Sequence, residues 1–305
     1  MALPPLFLDR IQHILPAGRD LTGYFRPPQH AAFRVNTLKA SSDDIWQFLA
    51  SEGLAFERIG WYSAAFTVSA ADARRLLDSP PGMQGKIYAQ GLESMLPAIV
   101  LDPKPGQWVL DLCAAPGSKT TQIAAHMNNE GLLIANEPVA KRFYRLRSVV
   151  ELMGAKVQLL KEDGRYLRRQ ASFDRILVDA PCSSEGRFCH DDEEGFGYWS
   201  LRKIHEMAHK QKGLLLNAAR LLKPGGVLVY STCTFAPEEN EAAIDWVLRK
   251  DTGLKIAAIE LPGIPNYPAL RSWNDRPFAA AVAKTFRVLP DAAMQGFFMA
   301  KLIRS

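Results

Sequence analysis

Residues Val109 to Gln122 read Val-Leu-Asp-Leu-Cys-Ala-Ala-Pro-Gly-Ser-Lys-Thr-Thr-Gln. Trp108 to Leu112 is a short apolar run interrupted only by Asp111, the pattern of a strand buried on both faces. Small residues and Pro116-Gly117 then force a tight turn, and Thr120 to Met127 resumes at helical spacing. A strand, a tight loop and a helix gather backbone N–H groups at a helix N-terminus, where polar or anionic ligand groups bind. The loop is not Gly-x-Gly-x-x-Gly, so the dinucleotide fingerprint fails. It also lacks Gly-Lys-Ser/Thr at phosphate-loop spacing.

Outward from this stretch the chain alternates strand and helix. Leu132 to Asn136, Val157 to Lys161 and Arg175 to Ala180 read as strands, and Pro138 to Met153 as a helix rich in Lys and Arg. Ser200 to Leu222 is a long helix, with Leu201, Ile204, Ala208, Leu215, Ala218, Ala219 and Leu222 at helical spacing. Pro224-Gly225-Gly226 turns the chain into a strand at Val227 to Tyr230, and Gly253 to Ile259 and Gly296 to Leu302 supply closing strands. Pro262 to Lys284, with four prolines, reads as a long loop near the active face. Repeated βα units argue a doubly wound parallel sheet. Ahead of it, the Pro-rich first thirty residues hold a short helix at Leu6 to Leu15. A strand at Ala32 to Lys39, a helix at Asp43 to Glu52, and strands at Phe56 to Ile59 and Ala65 to Val68 form a small α+β subdomain. The division falls between an N-terminal subdomain, 1–87, and a catalytic domain, 88–305.

Length and composition bound the function. At 305 residues, 48% apolar and 23% charged, the chain is ordinary for a globular protein with a large domain and an appendage. A net charge of +5 favours a polyanionic partner. No apolar run reaches membrane-spanning length, and Met1 to Arg10 has no basic start before its Leu and Phe residues. The four cysteines, at 113, 182, 189 and 233, show neither zinc spacing nor a disulfide framework. A monomeric cytoplasmic protein without a metal site is expected, its thiols free and some of them chemical.

Polar residues end the strands. Glu137 follows the second strand of the repeat, where a carboxylate can accept both ribose hydroxyls of a nucleoside-containing cofactor. Asp163 ends the third and can meet an adenine amino group. Asp179-Ala-Pro-Cys182 follows the fourth and Ser231-Thr-Cys233-Thr the fifth, so two cysteines converge on the crevice where the ligand should lie. Either acid alone reads as a solvated strand end, and a lone cysteine as a small buried hydrophobe; convergence favours function. Cys233 lies ahead of Pro237-Glu238-Glu239, which suits a helix first turn, so a lowered thiol pKa is expected there. Cys113 reads as loop packing, and Cys189 with His190 is no metal site.

Asp111-x-Cys-Ala-Ala-Pro-Gly-Ser-Lys119 resembles the S-adenosylmethionine loop of the Nol/Nop/Sun family of RNA cytosine-C5 methyltransferases. Asp179-Ala-Pro-Cys-Ser-Ser-Glu-Gly186, Tyr230-Ser-Thr-Cys-Thr-Phe-Ala-Pro-Glu-Glu-Asn240, Asn136-Glu137, Arg34 to Lys39 and the lead-in Tyr88 to Pro97 are similar to further motifs, extending the resemblance over about 30–302. Met127-Asn-Asn-Glu-Gly131 and Ala135-Asn-Glu137 point within the family to bacterial 16S rRNA enzymes. The resemblance implies a Rossmann-like class I methyltransferase sheet. It implies that Cys113, Ala114, Ala115, Pro116, Gly117, Ser118 and Lys119, with Glu137, Asp163 and Asp179, bind S-adenosylmethionine, assisted by Arg142. It makes Cys233 the nucleophile and gives Cys182 to product release. The chemistry explains the need for two thiols. C5 of cytosine accepts a methyl group only after a thiolate adds at C6, and the C5 proton must then be removed. Asp179 is placed to face the ring's N3 and exocyclic amine.

Two departures stand out. The chain ends soon after Gly296-Phe-Phe-Met-Ala-Lys301, so the extra C-terminal RNA-binding domain of some relatives is expected to be absent. Asp291 also stands where many members carry His. Basic clusters at Lys141 to Arg147, Lys161 to Arg169 and Arg202 to Lys212 can track a phosphate backbone, and Arg26, Arg34 and Lys39, with Phe25 and Phe33, are the better candidates for positioning RNA. The expected substrate is rRNA, with tRNA second. A non-catalytic ribosome-assembly factor would need neither cysteine. A DNA cytosine-C5 methyltransferase would use the Pro-Cys of the fourth strand as nucleophile and would not need the Thr-Cys-Thr.

Overall fold

The computed structural model describes residues 3–15, 21–26, 29–168, 173–189 and 196–305. His190 and Arg169, named in the sequence analysis, lie outside them, as do Pro16 and Pro27-Pro28 of the Pro-rich start. The first helix, α1 (Pro5–Ile14), starts on a proline, whose missing N–H costs nothing at a helix N-terminus. It buries Phe7 edge-on against Phe25 and Phe188, at centroid distances of 5.3 and 5.0 Å. Arg10 pairs with Glu238 at 2.8 Å. The N-terminal helix is thereby tied to the loops around the fourth and fifth strands of the catalytic sheet.

The N-terminal sheet runs β2 (Phe56–Arg58), β3 (Ala65–Ser69), β1 (His30–Val35), β4 (Ile87–Ala89), all neighbours antiparallel. Helix α2 (Ser42–Ser51) opens on a capping box, in which Ser41 accepts from the N–H of Asp44 while the Asp44 carboxylate accepts from the N–H of Ser41. It buries Ile45, Trp46 and Leu49 against Phe33 and Phe66. Two short helices, α3 (Ala73–Leu77) and α4 (Pro80–Met83), lead into β4. Because β4 pairs with β1 through Tyr88 and Ala89, the expected division at 87/88 falls inside a strand. One correction concerns Arg34. Its side chain is fully buried, donating to Gln90 Oε1 and Thr121 Oγ1 at 3.1 Å each, so it joins the N-terminal sheet to the catalytic domain and does not face RNA. Alternation on β1 places it inward.

After α5 (Leu92–Leu101) the catalytic sheet begins. Its strands are β5 (Trp108–Asp111), β6 (Leu132–Asn136), β7 (Gln158–Leu160), β8 (Phe173–Asp179), β9 (Leu222–Thr232), β10 (Leu254–Ala257) and β14 (Phe297–Arg304). The spatial order is β10-β14-β9-β8-β5-β6-β7. From β9 to β7 the strands are parallel, while β14 runs antiparallel to both β9 and β10, so the sheet is mixed. Helices α6 (Ser118–His126), α7 (Ala140–Met153), α8 (Leu201–Leu221) and α9 (Glu241–Leu248) complete the βα units. Helix α8 lays Leu214, Leu215 and Ala218 on Leu110, Ile176, Val178 and Leu228. Each such Leu, Ile or Val side chain contributes about 1.5–3 kcal/mol when fully buried. Strand order reverses between β5 and β8, which places the ligand crevice beyond the carboxyl ends of β5, β6, β8 and β9.

Three local expectations are corrected. The Pro224-Gly225-Gly226 turn is a bulge inside β9, since Phe173 pairs with Leu222 and Arg175 with Val227. The Pro262 to Lys284 loop carries a short hairpin, β11 (Ser272–Trp273) with β12 (Arg276–Pro277), and is followed by β13 (Phe286–Val288), which pairs with β14. The helix expected at Pro237 starts at Glu241, eight residues beyond Cys233. Among the described residues no helix is long and apolar enough to cross a membrane.

Candidate active site

Beyond the ends of β5, β8 and β9 lies a cleft of about 670 Å³. Of the residues singled out in the sequence, Cys113, Ala114, Ala115, Pro116, Ser118, Lys119, Arg142, Asp179, Cys182 and Cys233 line it; Gly117, Glu137 and Asp163 do not. Gly117 caps α6 at φ +115, and a Cβ there would come within 3.0 Å of Val149, so only glycine makes this turn without strain. The loop between β5 and α6 is held from both sides. Arg142 donates to the Ala115 carbonyl at 2.8 Å and pairs with Glu137 at 3.3 Å, while Glu137 accepts from the N–H of Val139 at 2.9 Å. Asp163 is engaged by Arg165, 2.6 Å away, whose hydrogen bonds hold the carboxyl below its usual range.

At the floor, Asp111 accepts from Thr120 Oγ1 at 2.6 Å, and its other oxygen is buried without a protein partner. Burial pushes this carboxyl up to about 7, against the pull of the Thr120 hydrogen bond. An orphaned acceptor, a run of small residues and open backbone at a helix N-terminus suit a polar, nucleoside-bearing cofactor such as S-adenosylmethionine.

The same cleft carries an ion pair and two thiols. Lys119 Nζ reaches Asp179 Oδ2 at 2.7 Å and donates to Ser94 Oγ at 2.8 Å, while Ser231 Oγ donates to Asp179 Oδ1 at 2.7 Å. The Sγ atoms of Cys182 and Cys233 stand 3.3 Å apart, with Ser184 Oγ 3.6 Å from Cys233. The two thiols have unlike surroundings. The Cys182 hydrogen bond pulls the Cys233 thiol down to about 7, helped by the charge of Arg187 and opposed by burial. Cys182 is pushed well up by that same hydrogen bond, by burial, and by the charges of Cys233 and Glu239. A helix terminus is not what lowers Cys233, because α9 begins too late; the neighbouring thiol and Arg187 do so. Burial also pushes the Cys113 thiol up, with the charges of Asp111, Asp179 and Glu137 adding to it.

Two buried acids fasten the loops that carry the thiols. Glu239 accepts from the Ser183 N–H at 3.1 Å and Gln211 Nε2 at 2.7 Å, and burial pushes it up to about 8. Glu185 accepts from Trp199 Nε1 at 2.8 Å and Thr234 Oγ1 at 3.0 Å. The loop after β8 and the loop after β9 are therefore cross-linked, which fixes the thiol–thiol separation. Sequence reasoning missed Arg187, Ser184, Ser231 and the Lys119–Asp179 pair. Only the closeness of Ser184 and Arg187 to the Pro-Cys motif could have signalled them. Among the described residues no group of three or more His, Cys, Asp or Glu can hold a metal ion.

A family model described as 16S rRNA methyltransferase RsmB/F matches residues 98–303. The chain is 38% identical over 296 residues to a tRNA (cytosine(49)-C(5))-methyltransferase of Pyrococcus abyssi, covering 93% of this chain and 91% of that one. It is 41% identical over 248 residues to the ribosomal RNA small subunit methyltransferase F of Vibrio vulnificus, covering 78% of this chain and 52% of the relative, so it spans about half the length of that enzyme. The crystal structure of a methyltransferase homolog protein from Pyrococcus horikoshii superposes with a TM-score of 0.79 at 30% identity, covering 99% of this chain and 100% of that one. The chain belongs to the RsmB/F (Nol/Nop/Sun) family of RNA cytosine-C5 methyltransferases.

Proposed function

We propose that the protein transfers a methyl group from S-adenosylmethionine to C5 of a cytosine in structured RNA, working in the cytoplasm, where its thiols stay reduced. The observation that carries this reading is the pair of thiols 3.3 Å apart, one lowered and one raised, in the same cleft as the β5–α6 loop. The β5–α6 loop, Asp111, Glu137 and Arg142 hold the cofactor, with Asp163 at its adenine end. When bound, S-adenosylmethionine supplies an electrophilic methyl group.

Cys233, as thiolate, adds to C6 of the cytosine and drives the electron pair toward C5 and N3. Asp179 accepts from the exocyclic amine, and Lys119, paired with it, supplies a positive charge beside the ring as electron density grows there. C5 then carries both methyl and proton. Once Cys233 is a thioether it no longer bears the charge that disfavours ionisation of Cys182, so Cys182 releases its own proton to solvent. It then takes the C5 proton, C5=C6 re-forms, and Cys233 leaves as thiolate. Attack occurs from above or below the ring, so the cytosine is single-stranded or extruded.

The substrate favoured by the family model is small-subunit rRNA. Transfer RNA is the second reading, favoured by the full-length match to the P. abyssi enzyme. Bisulfite sequencing of rRNA and tRNA from a strain lacking the gene tests both. A single cytosine that loses its methyl group names the target; unchanged methylation in every rRNA and tRNA removes the reading.

A further inference from the structure

A second cleft, of about 490 Å³, adjoins the first. Ala293 and Gln295 line both, so the two clefts meet at the 293–295 segment. Elsewhere Cys233 faces the first cleft and Gly186 the second, joined backbone to backbone. Gly186 donates its N–H to the Cys233 carbonyl at 2.9 Å and accepts from the N–H of Gly296 at 3.2 Å. A Cβ on Gly186 would lie 2.2 Å from the Gly296 carbonyl, so the two segments pack backbone on backbone there. The second cleft therefore lies directly behind the backbone of the proposed nucleophile.

Its lining suits one nucleotide. Phe188 and Met294 give an apolar floor, Tyr24 a half-buried aromatic side, and Arg26 and Gln29 an exposed cation and amide at the rim. Asp291 completes the lining on a rigid turn, its Oδ1 accepting from the N–H groups of Ala293 and Met294 at 2.8 and 2.7 Å. An aromatic face with a cation beside it is the combination that holds a base and its phosphate without pairing to it. An enzyme that extrudes a base also has to hold the nucleotides flanking it at the pocket mouth.

We propose that this second cleft receives a nucleotide adjacent to the target cytosine, its base against Tyr24 and its phosphate at Arg26. The inference rests on the functional reading above. It makes Tyr24 and Arg26 the residues that hold the nucleotide flanking the target.

The test uses the full-length protein and a synthetic RNA spanning the cytosine it methylates, mapped by bisulfite on rRNA and tRNA from the deletion strain. Companion RNAs carry an abasic ribose on the 5′ or the 3′ side of that cytosine. Removing the base on one side should lower kcat/KM of the wild-type protein roughly tenfold, the size of one base–aromatic stack. Tyr24→Ala should lose about the same on intact RNA and lose nothing more on that abasic RNA, while Tyr24→Phe restores the wild-type pattern. Arg26→Ala, a change at an exposed residue, should reduce the slope of log affinity against log salt by about one. S-adenosylmethionine affinity should stay at the wild-type value in all three variants, which shows that they are folded. Abasic RNAs within twofold of intact RNA on both sides, losses that multiply in Tyr24→Ala, or an unchanged salt slope in Arg26→Ala would each overturn the second cleft as a nucleotide site. Failure of the wild-type protein to methylate any RNA would instead remove the functional reading on which it rests.

Discussion

Replacing Cys182 with alanine removes the thiol whose hydrogen bond is the largest cause of the lowered Cys233 pKa, leaving Arg187 and Ser184 beside it. In the limit, the Cys233 thiol returns from about 7 to its ordinary value of 9.0. At pH 7 the ionised fraction then drops from about one half to about 1%, a loss of roughly fiftyfold. The recovered thiolate is more basic by about two units and so more nucleophilic, by roughly eightfold for a Brønsted coefficient of 0.4–0.5. Attack on C6 should thus be about sixfold slower than wild type at pH 7, equal near pH 8 and about fourfold faster at pH 9. The assay is single-turnover formation of the protein–RNA adduct on RNA carrying 5-fluorocytidine at the target. Fluorine replaces the C5 proton, so the methylated adduct cannot resolve in either protein and its appearance reports attack and methyl transfer without the resolving step. Cys182→Ser, which keeps a donor, should fall between the two profiles. Wild-type and Cys182→Ala profiles that superimpose from pH 6 to 9 would refute the coupling between the two thiols.

Four further outcomes follow from the geometry. Lys119→Ala leaves Asp179 without its cation, so kcat should fall by about 10²–10³-fold with little change in RNA affinity, and a kcat within threefold of wild type would exclude the pair from the chemistry. Glu137→Ala loses the acceptor of the Val139 N–H and the partner of Arg142, and calorimetry should show S-adenosylmethionine binding weaker by roughly 1–3 kcal/mol; unchanged affinity in the folded variant removes the assignment. Glu239 stands at about 8 when folded, above its ordinary value of 4.5, so the folded state holds a proton that the unfolded chain releases first. Stability is therefore lost as pH rises between those values, by on the order of a few kcal/mol, and Glu239→Gln should flatten the fall in Tm between pH 5 and 8, leaving the shares due to the other acids that burial raises, Asp111, Glu93 and Glu185; an undiminished fall would place Glu239 elsewhere. Phosphate contacts by the exposed cations should make log RNA affinity fall linearly with log salt, and a flat dependence up to 0.3 M would remove those cations from binding.

The elements that the sequence displayed most clearly are those whose signal is local. The apolar run at 108–112, the small-residue turn and the long amphipathic helix at 200–222 each carry their own periodicity, and all three formed where expected. That the β5–α6 loop and both cysteines meet at one cleft was legible because strand ends in a doubly wound sheet converge by topology alone. What the sequence hid depends on contacts between distant segments. Arg34 reads as a surface cation until alternation on β1 turns it inward against Thr121, 87 positions away. The lowered thiol at Cys233 was anticipated for a different reason: its cause is Cys182, 51 residues earlier in the chain and on another strand's loop. Strand direction was hidden likewise, since nothing local tells β14 to enter the sheet antiparallel between β9 and β10.

The central claim is that Cys233 attacks and Cys182 resolves, and it is tested most directly on natural target RNA, without fluorine, by denaturing gel electrophoresis. Wild-type protein, Cys233→Ala and Cys182→Ala are incubated with that RNA and S-adenosylmethionine. At pH 8, where the thiolate deficit of Cys182→Ala is offset by its nucleophilicity, this variant should accumulate a covalent protein–RNA band whose cytosine already carries the methyl group. Cys233→Ala should bind both ligands and give no band, and wild-type protein should turn over without accumulating one. A stable band from Cys233→Ala and none from Cys182→Ala would make Cys182 the nucleophile and contradict the account.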